Sequence, residues 1–196
     1  MISTTKPWNK GCTPAIKAMR AYCVFILLLA FCLAAPATTL QYLSLDDLVN
    51  ESTVIVCGTV TGSQTTMRGP VIYTLYSLEV ADSWKGAVGS TVSVAVPGGV
   101  ANGLQQTFAG APALTPGGQY LIFLWTSKSG LNVIMGLSQG LFELLPNGTA
   151  MADATVTQAG TTEIMLNGTG KQVTARPIQM RLGQFHAIVR RTLGVH

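Results

Sequence analysis

The stretch Gly117–Leu145, GGQYLIFLWTSKSGLNVIMGLSQGLFELL, constrains the fold more than any other part of the chain. Gln119–Thr126 is an apolar, aromatic-rich run of strand length, Ser127–Gly130 is a short turn closed by glycine, and Leu131–Met135 starts a return strand. Leu141–Leu145 follows as a further strand. Runs this short between glycine-marked turns favour strands over amphipathic helices, so a hairpin is expected here and the flanking chain must supply the strands that pair with it.

The preceding residues meet that demand. Ser44–Val49 reads as one short helix, with Ser44 as N-cap, Asp46 and Asp47 in the first turn, and Leu45, Leu48 and Val49 on one stripe. Thr53–Thr61 is β-branched apart from Cys57 and Gly58, and a glycine inside such a run marks a bulge or sharp bend. After a polar turn at Ser63–Pro70, Val71–Trp84 reads as a long strand with Ile72, Thr74, Tyr76, Leu78 and Val80 on one face. Thr91–Val96 follows, with Val92, Val94 and Val96 pointing one way.

Downstream, Asn147-Gly148 and Asn167-Gly168 are type I′ turn signals. They are expected to lead Leu141–Leu145 into Thr149–Ala154 and Thr161–Leu166 into Lys171–Ala175. A helix is expected from Pro177 onward, because Ile178, Leu182, Phe185, Val189 and Leu193 recur at helical spacing, Arg190 and Arg191 suit its last turn and Gly194 ends it. The fold class is therefore mainly all-β, a closed barrel over residues 38–175 with a short N-terminal helix, and an amphipathic helix in 176–196 packed on it.

Pro97–Gly118, PGGVANGLQQTFAGAPALTPGG, contains no charged residue. A connection this long in a compact domain is either locally folded or functional. It is expected to hold a short strand near Gln105–Phe108 and to act either as a crossover, with Phe108 and Leu114 packed beneath it, or as a recognition loop. The candidate ligand-binding residues are Gln105, Gln106, Phe108 and, on the following strand, Trp125.

A pI near 9.0 and a formal charge of +4 invite a nucleic-acid reading, which the N-terminus removes. Ala21–Ala35 is an uncharged apolar block preceded by Lys6, Lys10, Lys17 and Arg20 and followed by small residues, the pattern of a secretory signal peptide cleaved after Ala37. The basic region before the block is long, and Met19 is read as an alternative start. Four of the 12 Lys and Arg residues leave with the peptide and none of the 8 Asp and Glu, so the exported chain is formally neutral and lacks an electrostatic footprint for nucleic acid. Cys12, Cys23 and Cys32 leave as well, so Cys57 remains alone and the domain must rest on its core. Export to the periplasm, the cell surface or the medium is the expectation, with membrane contact only through the peptide before cleavage.

The order helix, TVIVCGTVTGS, IYTLYSLEVADSWKG, VSVAVPGG, loop, PGGQYLIFLW resembles the NTR module, the OB-like barrel shared by netrin C-terminal domains and tissue inhibitors of metalloproteinases, and exported bacterial proteins of the same layout. The likeness covers Leu45–Leu145 and rests on Trp84-Lys85-Gly86 ending a strand and on the G-x-Y-L-x-F-L pattern at Gly118–Leu124. It implies an OB-like barrel and a protease-inhibitor role by analogy. The inhibitors ligate their target's zinc through an N-terminal Cys and brace the barrel with disulfides, whereas Thr38 is the expected N-terminus here and Cys57 is single.

Gly136-Leu137-Ser138-Gln139-Gly140 matches the G-x-S-x-G pattern of a hydrolase nucleophile elbow, and Ser138, Asp153 and His186 follow in the order of that fold's triad. An elbow needs a strand, a sharp turn and then a helix, whereas Leu141–Leu145 continues as strand. The glycines are therefore expected to serve backbone shape, with Ser138 and Gln139 hydrogen-bonded locally, and the serine hydrolase is the alternative. His186 and His196 with one thiol fall short of a zinc ligand set, so no metal and no cofactor are expected. The leading expectation is an exported, non-catalytic binding module for a protein or glycan partner.

Overall fold

The computed structural model describes residues 39–147, 153–160, 164–174 and 176–194, and Thr38–His196 form one compact unit. The expected signal peptide, Gly148 of the first expected Asn-Gly turn, the first four residues of the expected Thr149–Ala154 strand, Thr161–Glu163, Ala175 and His196 lie outside the described residues.

The described residues are mainly β with two helices. Thr39–Gln41 (β1) leads to the helix Leu45–Glu51 (α1), then Val54–Arg68 (β2), Val71–Lys85 (β3) and Thr91–Pro97 (β4). Gly99–Ala101 (β5) and Leu104–Gln106 (β6) fall inside the uncharged connection, followed by Gln119–Thr126 (β7), Asn132–Ile134 (β8) and Leu141–Leu145 (β9). Thr155–Gln158 (β10), Ile164–Leu166 (β11), Gln172–Val173 (β12), Gln179–Arg181 (β13) and the helix Leu182–Thr192 (α2) complete it.

Eight strands form one sheet in the order β13-β10-β9-β7-β2-β3-β4-β8, and β8 also pairs with β7. This return contact makes part of the sheet ring-like. The ring is held at β4–β8 by only two parallel pairs, Val94 with Asn132 and Ala95 with Val133. The expected closed barrel is thus replaced by a large sheet with a partly ring-like arrangement.

Alternation of side chains across the strands divides the apolar residues into two cores. Val56, Tyr76, Leu78, Val94, Val96, Ile122, Leu124 and Ile134 fill the inner one. Ile55, Cys57, Leu121, Phe123, Phe142 and Val156 face outward and are covered by Leu48 and Val49 of α1 and by Leu182, Phe185 and Val189 of α2. Gly58 permits a register shift beside Cys57. A Cβ there would sit 2.3 Å from the Glu79 carbonyl oxygen.

The capping box of α1 is complete: Asp47 N–H donates to Ser44 Oγ at 3.2 Å, and Ser44 N–H donates to Asp47 Oδ2 at 2.9 Å. The Ser44 hydroxyl, then its backbone N–H, hold the Asp47 carboxyl below the ordinary 3.8. A depressed folded-state pKa contributes stability above 3.8 that is lost as pH falls through the lower folded value. Ser44→Ala is expected to cost about 1 kcal/mol at neutral pH, with the difference from wild type in urea melts narrowing once Asp47 protonates.

Three expectations are corrected. The polar turn expected at Ser63–Pro70 is strand as far as Arg68, paired residue for residue with β3 from Gly62 with Ser77 to Arg68 with Val71, so only Gly69-Pro70 turns. The helix expected from Pro177 starts at Leu182, because Gln179–Arg181 hydrogen-bond to β10 as an edge strand instead; the sheet therefore crosses the expected boundary at 175/176. Gly148 lies outside the described residues, and Asn167-Gly168 does not make a two-residue hairpin. Leu145 stands opposite Thr155, well past Asn147-Gly148, and Asn167 Oδ1 accepts from the N–H groups of Thr169 and Lys171 in a longer loop in which Gly170 is left-handed. The type I′ device occurs at Asn102-Gly103, at φ 53° and 75°, between β5 and β6.

Candidate functional site: an apolar face on β4, β8 and β7

Across β4, β8 and β7, Ala95 stands opposite Val133 and Val133 opposite Trp125. Their neighbours Val94, Val96, Leu124 and Ile134 point into the inner core, so this row lies on the outer face. Neither helix of the outer core supplies it with a cover. Trp125 is 45% exposed, whereas Ala95 is 1% exposed yet belongs to neither core.

The sheet opens beside this row. The β4–β8 pairing stops at Ala95 and Val133, and beyond it Val96 and Pro97 on one side and Ile134 and Leu137 on the other line an apolar cleft of about 220 Å³, completed by Tyr73 and Pro112. Pro97 opens the uncharged connection and Pro112 lies in its second half. On the far side of Val133, Trp125, Met135, Gly136 and Glu51 line a shallower hollow of about 330 Å³.

The wall contributed by Leu137 is strained. Gly136 and Leu137 lie at φ 55° and 60°, and a left-handed non-glycine residue costs about 1–3 kcal/mol unless its surroundings impose it. What imposes it is Gln139, 3% exposed, whose Nε2 donates to the Gln41 carbonyl at 2.8 Å and whose Oε1 accepts from Leu43 N–H at 2.9 Å. The local hydrogen bonding expected for Ser138 and Gln139 is made by their backbones, Gln139 N–H donating to the Gly136 carbonyl and Leu141 N–H to the Ser138 carbonyl, each at 3.1 Å. The Gln139 side chain ties down the N-terminal strand, and Ser138 Oγ has no hydrogen-bond partner. The glycines of G-x-S-x-G are explained by contact. A Cβ at Gly136 would lie 2.8 Å from Gln139 Nε2, and one at Gly140 would lie 3.0 Å from the Phe123 carbonyl oxygen.

This turn lacks the features of a nucleophile elbow. Ser138 is 3% exposed, β9 follows it where a helix belongs, and the strain falls on Leu137. The His186 ring stacks on Trp84 at 4.5 Å and 24°, Asp153 is exposed ahead of β10, and with Ser138 Oγ unpartnered no base is in place to take its proton. Burial, and after it the Asp82 carboxylate, push the Cys57 thiol up to about 12, which keeps it protonated and inert at neutral pH. Among the described residues no group of three His, Cys, Asp or Glu side chains could hold a metal ion, and no helix is long and apolar enough to cross a membrane.

The four residues named from sequence separate. Trp125 lies on the outer row. Phe108 is 39% exposed and stands beside Gly98, next to Pro97 of the cleft, so it is not packed beneath the connection, whereas Leu114 is buried there at 4%. Gln106 is committed to structure: its Oε1 accepts from Ile72 N–H at 2.6 Å and its Nε2 donates to the Pro70 carbonyl at 2.7 Å, bracing the β2–β3 turn. Gln105 is exposed on β6, away from the row. Sequence reasoning did not reach Ala95, Val133, Leu137 or Glu51. The signal available was an alanine at an outward position between the valines of Val92–Val96, where water-facing residues are expected.

Comparison of the chain with protein-family models, with curated proteins and with solved structures finds no match.

Proposed function

We propose that the protein is an exported, non-catalytic binding module in which an OB-like ring, β7-β2-β3-β4-β8, presents Val133, Trp125 and the seam cleft beside the buried Ala95 to a protein partner outside the cytoplasm. The carrying observation is the seam cleft, lined by apolar side chains and Tyr73 with no charged group. Three further features support the reading. The circuit has β4 and β8 parallel and its other pairs antiparallel, in keeping with a five-stranded, partly open OB-type barrel, a fold that binds ligands on its outer strands. The element order over Leu45–Leu145 supports the NTR-like likeness. The basic and apolar N-terminus supports export.

Size selects the kind of ligand. At about 220 Å³ the cleft lies below the roughly 300–1,000 Å³ of sites that enclose a whole small molecule. It suits one large apolar side chain offered by a larger partner, and its apolar lining disfavours a glycan. Panning a random peptide library on the immobilised protein is expected to enrich sequences sharing one aromatic or large aliphatic residue. Val133→Glu should weaken the selected peptides by about tenfold or more, the effect of a charge forced against an apolar contact. No enrichment, or enriched peptides indifferent to Val133→Glu, would sink the reading.

A further inference from the structure

We infer that the hollow beside Trp125 receives the guanidinium of an arginine belonging to the same partner segment whose apolar side chain enters the seam cleft. This rests on the binding-module reading above and names the chemistry of the partner.

The hollow pairs an exposed indole with a carboxylate. Trp125 is 45% exposed, and Glu51, exposed and the last residue of α1, lines the same space with Met135 and Val133. The position of Glu51 is electrostatically poor, since a helix C-terminus carries partial negative charge and cations are favoured there. Nothing within the helix offsets it, as α1 has no basic residue in its last turn. The neighbouring cation, Lys85, directs its Nζ to the carbonyl oxygens of Val49 and Asn50 at 2.6 and 2.9 Å. Lys85 thus meets the helix end through those carbonyls, and an arriving cation finds both a π face and an exposed carboxylate. A guanidinium fits this pair better than an ammonium, because its plane stacks on an indole while its fork of N–H donors meets a carboxylate.

Spacing ties the hollow to the cleft. Val133 and Ile134 line both, and Val133 separates Ala95 from Trp125 by one strand on each side, at about 5 Å per strand. In an extended segment, side chains two residues apart point to the same side about 7 Å from each other. An apolar residue and an arginine two positions apart thus reach both spaces.

The test uses the full secreted chain and three synthetic peptides, Ac-Phe-Gly-Arg-NH2 and its versions with lysine or the neutral isostere citrulline in place of arginine. Binding is followed by NMR titration, with the Trp125 indole signal identified by its loss in Trp125→Phe. The arginine peptide is expected to bind about three- to fivefold more tightly than the citrulline peptide, the size of an exposed cation–π contact, with lysine between them. Glu51→Gln should reduce that preference while leaving the citrulline peptide unchanged, and Trp125→Leu should reduce it as well. Equal binding of the arginine and citrulline peptides, both still sensitive to Val133→Glu, overturns the arginine site and spares the module. Binding of none of the three overturns both. Glu51-dependent binding to phosphatidylcholine vesicles without any arginine preference overturns the assignment in favour of a lipid headgroup.

Discussion

Phe185→Ala is expected to lower the unfolding free energy by about 3–5 kcal/mol, read as a fall in the urea midpoint at unchanged slope. Phe185 is 0% exposed and joins α2 to the sheet. Its ring meets Phe142 edge-on at 4.9 Å and lies 6.1 Å from Phe123 and 6.3 Å from Trp84. Truncation removes the contacts of one whole ring and leaves a cavity that three neighbouring aromatics cannot close without leaving their own packing. For a domain stable by about 5–15 kcal/mol, that is a large share. Phe108→Ala, at a residue 39% exposed, should change the same midpoint little. The two helices cover the outer face over β2, β7, β9 and β10 and do not reach Trp125, which stays 45% exposed.

Where local pattern and tertiary environment agreed, the elements were legible in the sequence. Gln119–Thr126 and Leu141–Leu145 have the expected bounds, and Ser44 caps α1 as its hydroxyl and the acidic first turn suggested. Legibility failed where pairing partners decided the outcome. Ser63–Arg68 carries no apolar alternation, because that end of β2 extends past the inner core, and the ladder to β3 keeps it a strand. Gln179–Arg181 lies in a helical pattern, but the free edge of β10 satisfies its backbone as strand. The candidate face was hidden for the same reason. Trp125 could be named as an exposed aromatic, but the parallel contact that brings Ala95 beside Val133 joins strands far apart in sequence, and no local periodicity encodes it. Glu51 lies past the helix expected over Ser44–Val49, and no local pattern marks it.

Gln139→Ala is expected to destabilise the protein by about 2–4 kcal/mol, because it strips partners from two backbone groups in a partly buried site, whereas Ser138→Ala should stay within about 1 kcal/mol, since that hydroxyl makes no hydrogen bond to lose. The asymmetry follows from the turn. Gly136 leaves space for the Gln139 amide, the amide accepts from Leu43 N–H and donates to the Gln41 carbonyl, and the Gln139 carbonyl accepts from Gln158 Nε2 at 2.7 Å. One side chain thus fixes β1 and the approach to α1 on the sheet, and its backbone is where β10 attaches. Without the amide, the segment Thr39–Leu43 keeps its short parallel pairing to β11 and little else. Limited proteolysis should then cut Gln139→Ala within this segment before the domain unfolds, while Ser138→Ala resists as wild type does. A serine hydrolase demands the reverse emphasis, an indispensable Ser138 that reacts with a fluorophosphonate probe. Labelling of Ser138 in the folded protein would show that the turn has a chemical role; its absence, together with early cleavage of Gln139→Ala, fits a motif whose glycines serve Gln139 and whose strained Leu137 shapes the cleft.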